Sequence, residues 1–165
     1  MERKMRRFKQ LLSEADSKDI LNNVTNGVLS LLDPDGGVYG VPVSFAYDGD
    51  KYIYLHSAVK GHKIDCIEAD SRCSFCVVGQ DEIVPEEFTS YFRSVIVKGS
   101  IHKVSDSDEI MKGLLLLCEK YSPGIDSDME IAKCLNHVSI LRLDIENMTG
   151  KESIELVRKR KQSDS

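Results

Sequence analysis

Two turn signals in the first third of the chain most constrain what it can fold into. The run Asp-Pro-Asp-Gly-Gly at residues 33–37 and the pair Asp48-Gly49 each separate stretches that are rich in β-branched and aromatic residues. Turns this short join antiparallel neighbours, because parallel strands need a crossover of about a dozen residues or more. This part of the sequence therefore predicts three antiparallel strands in a row. Pro42 has no N–H group and should interrupt the ladder on its side of the second strand.

Three further strand patterns follow. The six predicted strands cover residues 28–32, 38–46, 52–56, 72–79, 88–104 and 138–145. Four connections between them are short or hairpin-like, and the acidic segment 80–87 is predicted as a loop. Helix signals are few: they follow Ser13, Gly61, Asp106 and Ser127. The prediction is an α+β fold, built on a mostly antiparallel six-stranded β-barrel with flanking helices.

Length and charge narrow the class of protein. The chain has 165 residues, which is enough for one domain, predicted over residues 1–150, and 151–165 should form a charged tail or a short helix. A net charge of -5 argues against nucleic-acid binding. The longest apolar run, Leu114–Cys118, is too short to cross a membrane. Five cysteines without a repeating frame indicate reduced thiols and the cytoplasm.

Cys73 and Cys76 form a Cys-x-x-Cys pair, a spacing found in zinc sites and in redox motifs. Both lie in the predicted strand 72–79, where residues three apart point to opposite faces of the sheet. We therefore expect two buried strand cysteines and no metal site there.

The residues that carry chemistry lie between His56 and Lys63, where a strand ends and a short helix begins. A phosphate at this junction would meet the free N–H groups and the positive dipole end of the helix. Gly61 allows close approach, Lys63 supplies a positive charge, and Ser57, His56 and His62 can donate hydrogen bonds. A strand-to-helix junction can also hold such residues by chance, so an unused junction remains the alternative at this point.

The same segment carries a family resemblance. His-Ser-Ala-Val-Lys-Gly-His-Lys at 56–63 resembles the His-Ser-Ala-x-x-Gly-x-Lys motif of flavin-binding proteins related to nitroimidazole resistance reductases. Further motifs of that family are matched in order by residues 5–7 (Met-Arg-Arg), 41–45 (Val-Pro-Val-Ser-Phe), 91–99 and 148–151. The resemblance covers nearly the whole chain. It implies an FMN-binding split β-barrel of the pyridoxamine-phosphate-oxidase superfamily, and a homodimer with two FMN sites at the subunit interface.

The resemblance also implies which residues bind the phosphate end of the cofactor. Gly61, His62 and Lys63 would surround the FMN phosphate. Ser57 and Ala58 would lie close by.

The other end of the cofactor is assigned in the same way. Pro42, Val43 and Ser44 would lie along the isoalloxazine ring, and Ser94 would contact the flavin from the long strand 88–104. His56 resembles the family's histidine near the open face of the ring and is the predicted catalytic residue.

Two departures favour one branch of the family. The chain has His62-Lys63 where the pyridoxamine phosphate oxidases proper have an Arg-Lys pair, and it contains no tryptophan. The nitroimidazole-reductase-like branch fits better, which predicts an FMN-dependent oxidoreductase acting on a nitro or quinone-like small molecule. His56 could donate a proton to the reduced substrate, or it could only bond the flavin.

Two alternatives remain open on the sequence alone. The first is a flavin carrier or sensor without turnover, since a fold does not specify chemistry. The second is a haem protein, for which His102 and His137 are the spare histidines. The substrate and the electron donor are left open, because the segment 80–89 has no recognisable motif.

Overall fold

The computed structural model describes residues 5–135 and 137–163. Within them, the strands are β1 (Asn26–Leu32), β2 (Val38–Ser44), β3 (Ala46–Tyr47), β4 (Tyr52–Ala58), β5 (Arg72–Val84), β6 (Thr89–Lys103) and β7 (Val138–Glu152). The helices are α1 (Glu14–Asn23), α2 (His62–Ala69), α3 (Ser107–Tyr121), α4 (Asp128–Cys134) and α5 (Ile154–Ser163). All the strand pairs are antiparallel. The predicted α+β class is confirmed.

The sheet closes on itself because two of its strands, β2 and β3, follow each other almost directly in the chain. The strand order is β2-β1-β5-β6-β7-β4-β3, so β2 and β3 lie at opposite ends of the sheet. Only Phe45 separates these two strands in sequence. The two ends must therefore meet, which curls the sheet into a barrel. The predicted single strand 38–46 divides at Phe45, and this raises the predicted six strands to seven.

Contacts from the end of α3 stabilise this closure of the sheet. The N–H group of Phe45 donates to the Tyr121 hydroxyl at 2.8 Å, and the Phe45 carbonyl lies 3.0 Å from the same oxygen. The Tyr121 hydroxyl also contacts the carbonyl of Thr25, just before β1. Lys120 places its ammonium 3.9 Å from the centre of the Phe45 ring. Since Phe45 is fully buried, these contacts satisfy backbone groups that no strand partner reaches.

Two apolar clusters account for the packing. The larger one fills the barrel and includes residues from α1 and α2, among them Leu21 and Ile64. The smaller one joins the outer face of β4 and β7 to α3 through Tyr54, Ile140 and Leu114. Consecutive residues Ile53 to Leu55 in β4 are all buried, because one face of this strand meets the barrel core and the other meets α3.

The structure corrects two predicted connections. The segment 80–87 is mostly not a loop: β5 continues to Val84 and pairs with β6 from Gln80↔Arg93 to Val84↔Thr89. The turn after β3 spans residues 48–51 and not two residues. In it, the Asp48 carboxylate accepts hydrogen bonds from the amides of residues 50, 51 and 52 at 2.9–3.0 Å.

The C-terminal segment and the cysteine pair also differ in part from expectation. Residues 150–152 complete β7, and Ile154–Ser163 form α5, whose Val157 is buried. The outer limits of the predicted domain and tail, at residues 1–4 and 164–165, lie outside the described residues.

Cys73 packs towards the barrel core while Cys76 lies on the opposite face, as predicted, but both are half-buried and not buried. None of the helices that the structure describes is long and apolar enough to cross a membrane.

Candidate functional site

Gly61 shapes the junction between β4 and α2. Its φ of 136° lies in the region that favours glycine, and its carbonyl accepts from the amides of Ile64 and Asp65 at 2.8 and 3.1 Å. The helix thus begins directly after it. A Cβ built on Gly61 would meet nothing within 4 Å, so the space beside the first turn of α2 is open. The first amides of the helix have no acceptor within it and face an accessible space.

Lys63, two residues after Gly61, adds a positive charge to the first turn of α2. Its side chain is half-buried, and within the described part of the chain no carboxylate pairs with it. Burial lowers the pKa of the Lys63 ammonium, because the charged form loses hydration without gaining a partner. A bound anion would restore that lost stabilisation. The helix terminus, Gly61 and Lys63 are therefore the residues of this segment that could hold an anion such as a phosphate.

The His62 side chain contacts three other residues of the chain. Its Nε2 lies 2.9 Å from the Asp33 carboxylate in the β1–β2 turn and 3.7 Å from Sγ of Cys66. Its ring meets the Tyr39 ring edge-on at 4.7 Å. Sequence reasoning missed these three partners of His62. The only available signal was the four-residue spacing of His62 and Cys66, which puts them on one face of α2.

A second part of the site lies under α3. His56, exposed on β4, and Ser44, half-buried at the end of β2, line one cavity of about 260 Å³. The other walls are mostly apolar and come from α3 and the start of β7: Leu114, Leu117, Cys118, Tyr121, Ser122 and Val138. The structure thus brings together two predicted site residues that lie twelve positions apart in sequence. A mostly apolar cavity with a few polar groups is a common form of small-molecule site.

The other predicted site residues differ in how exposed they are. Val43 and Ser57 are buried within the chain. Pro42 and Ala58 are exposed. In the described part of the sheet β2 pairs only with β1, which leaves alternate backbone groups on its free edge as possible donors and acceptors.

Ser94 and His56 lie at different levels of the barrel. Ser94 lies opposite Lys151 on β7, whereas His56 lies opposite Ile140 on the same strand. Eleven residues of β7 separate these two positions.

The two spare histidines are on the surface. His102 is exposed on β6, and His137 is exposed in the turn before β7. The segment that contains α3 and α4 lies between them in the chain. Neither lines the cavity that contains His56.

A family model and several solved structures match the chain. The model of the family described as pyridoxamine 5'-phosphate oxidase matches residues 13–152. A comparison with curated proteins finds no match.

The similar structures share the fold. One is a candidate 5-nitroimidazole antibiotic resistance protein from Bacteroides thetaiotaomicron, with 20% identity over 86% of each chain and a TM-score of 0.73. Another is a FAD-binding protein from Mesorhizobium loti, with 24% identity over 87% of this chain and 97% of that one, and a TM-score of 0.62. A third is a FAD- and haem-binding protein from Mycobacterium smegmatis, with 19% identity over 88% and 73% and a TM-score of 0.70.

Proposed function

The chain belongs to the pyridoxamine 5'-phosphate oxidase family, and we propose that it binds FMN and acts as an oxidoreductase on a small molecule. The observation that carries this proposal is the anion site of Gly61, Lys63 and the first amides of α2. It fits the terminal phosphate of a mononucleotide. Flavin binding by two of the similar proteins supports the same cofactor class.

The two parts of the site are joined by β2. Tyr39, near its start, contacts the ring of His62, and Ser44, at its end, lines the cavity with His56. Five residues of extended strand span roughly 17 Å. This length is comparable with that of an extended flavin mononucleotide, so a phosphate at Lys63 leaves the ring near Ser44.

Each part of the chain would have its own task. The bound flavin would supply the redox chemistry. Gly61 and Lys63 would hold the phosphate, and the free edge of β2 would orient the ring through backbone groups. His56 would face a small molecule in the cavity under α3 and could donate a proton to it. A His56→Ala variant that retains FMN and full turnover would remove His56 from the reaction.

We further propose that the site is completed by a second copy of the chain. Val28, Cys76 and Ile96 lie side by side across β1, β5 and β6 on the outer face of the sheet. Val28 and Ile96 are 42% and 44% exposed, which is high for apolar residues in the middle of a sheet. Ser94 lies on the same face of β6, two residues from Ile96. If two copies met at this face, Ser94 of one chain could reach the flavin of the other.

The cytoplasm is the compartment that we propose for this activity. Cys66, Cys73, Cys76 and Cys118 form no disulfide. Unpaired thiols are typical of proteins in a reducing compartment.

Substituting Lys63 tests the phosphate site. Lys63→Ala should weaken FMN binding by about 1–3 kcal/mol, or roughly 5- to 150-fold, because a charge-assisted hydrogen bond is lost. The affinity is measured by fluorescence titration of FMN into the flavin-free protein. Lys51→Ala is the matched control, since Lys51 is exposed at the opposite end of β4. Equal affinities for the two variants would place the phosphate elsewhere.

A charge on the outer sheet face tests the dimer. Light scattering after gel filtration should give twice the chain mass of 18.5 kDa for the wild type. Ile96→Asp should give the monomer and lose FMN, because a carboxylate would be buried in the contact. Leu115→Asp on α3, at a residue of similar exposure (47%), should remain dimeric. A wild-type monomer that binds one FMN per chain would contradict the shared site.

A further inference from the structure

We propose that Asp33, His62 and Cys66 bind a divalent transition metal ion of the zinc type where the β1–β2 turn meets α2. This site lies beside the proposed phosphate site but does not depend on it. His62 and Cys66 face the same way from successive turns of α2, and Asp33 reaches them from the turn. The three ligand atoms lie within 4.8 Å of one another.

Two of these groups converge on a single nitrogen of the third. Both the Asp33 carboxylate, at 2.9 Å, and Sγ of Cys66, at 3.7 Å, approach the same nitrogen of His62. That nitrogen carries at most one proton and therefore makes one good hydrogen bond, not two. A metal ion among the three atoms would be bound by all of them at once.

The three ligand atoms lie within about 1 Å of the separations that tetrahedral zinc requires. Zinc bonds of about 2.0–2.3 Å to nitrogen, oxygen and sulfur put pairs of ligand atoms about 3.3–3.6 Å apart. The observed separations need shifts on the order of 1 Å to reach this geometry. The exposed half of the His62 side chain and the partly exposed Asp33 leave a path for the ion. Three protein ligands leave a fourth position for water, and the thiolate disfavours magnesium and calcium.

The local charge also favours a cation. The carboxylates of Asp33 and of Asp65, which precedes Cys66 in α2, are negative charges that attract a metal ion. On binding, the Cys66 S–H proton would leave to solvent and the thiolate would become a ligand. His62 would then serve the metal, while the backbone amides and Lys63 serve the phosphate.

Cobalt provides a direct test. The full-length protein is freed of metal with a chelator and titrated with Co²⁺, whose bond to a thiolate gives a charge-transfer band in the near ultraviolet. We expect one Co²⁺ per chain, displaced by Zn²⁺. Cys66→Ser should abolish the band and weaken Zn²⁺ binding at least about a hundredfold, since loss of a mere supporting contact already costs 10- to 100-fold.

Matched variants distinguish this site from cobalt binding at another thiol of the chain. Cys76→Ser and Cys118→Ser, at half-buried cysteines outside the cluster, should keep the band. His62→Gln, at a side chain that is 50% exposed, should lose it without unfolding, which keeps the test decisive if Cys66→Ser destabilises the fold. Lys63→Ala should bind Co²⁺ normally even if its FMN affinity falls. The absence of a thiolate band in the wild type, or its persistence in the folded His62→Gln variant, would overturn the proposal.

Discussion

A Gly99→Ala variant should lose at least about 3 kcal/mol of its free energy of unfolding, at the upper end of overpacking effects. Gly99 is buried where the pairing of β6 with β7 shifts register. A Cβ at this position would lie 2.0 Å from the backbone oxygen of Asp144 and 3.1 Å from its carbonyl carbon. Because the obstacle is backbone, no side-chain rotation can relieve the clash. The two central strands would have to separate.

Chemical denaturation of the two variants Gly99→Ala and Gly40→Ala measures this effect against a control. Gly40 also lies in a strand, but a Cβ there would first meet Val28 at 3.8 Å, an ordinary contact. Gly40→Ala should therefore change the free energy of unfolding by less than about 1 kcal/mol. If both variants were equally stable, the close approach of β6 and β7 at Gly99 would be wrong.

Removing both arginines around Glu152 should cost about 3–5 kcal/mol of unfolding free energy. Glu152 is 0% exposed and pairs with Arg160 of α5 at 2.6 Å and with Arg93 of β6 at 3.3 Å. The double variant Arg93→Ala/Arg160→Ala would leave a buried carboxylate without compensation. Arg93 is also the neighbour of Ser94 in β6, so the double variant removes a side chain beside the residue that we place at the proposed dimer contact.

Thermal and chemical unfolding of the double variant test this prediction. The control is Arg72→Ala, which breaks the pair of Arg72 with Asp70 at 2.5 Å on the surface. Exposed ion pairs contribute about 0–1 kcal/mol, so the control should stay near the wild type. A double variant as stable as Arg72→Ala would show that the carboxylate of Glu152 finds water or another donor.

The sequence predicted the fold where alternation and turn chemistry agree. The turn at 33–37 joins β1 to β2 as expected, and the Ser13 hydroxyl caps α1 by accepting from the amide of Asp16. Prediction failed for residues 80–84, which belong to β5, because these residues are mostly exposed. Ile83 is 76% exposed, so no apolar alternation marks this segment as strand. Its pairing with β6 rests on backbone hydrogen bonds.

The candidate site was predictable only in its local part. The first turn of α2 follows from Gly61 and the residues beside it, because helix-terminus chemistry is local in sequence. The contact of His62 with Asp33 and the placement of His56 beneath α3 depend on how distant elements pack. One sequence does not show which elements meet. The separation of Ser94 from His56 likewise follows from strand register alone.

The absorbance spectrum of the purified protein after incubation with FMN and removal of the excess tests the cofactor most directly. We expect bands near about 375 and 450 nm, shifted from those of free FMN, with one flavin per chain that is identified as FMN after denaturation. A protein that remains colourless would contradict FMN binding. A Soret band from the protein as purified, without flavin bands, would indicate haem instead.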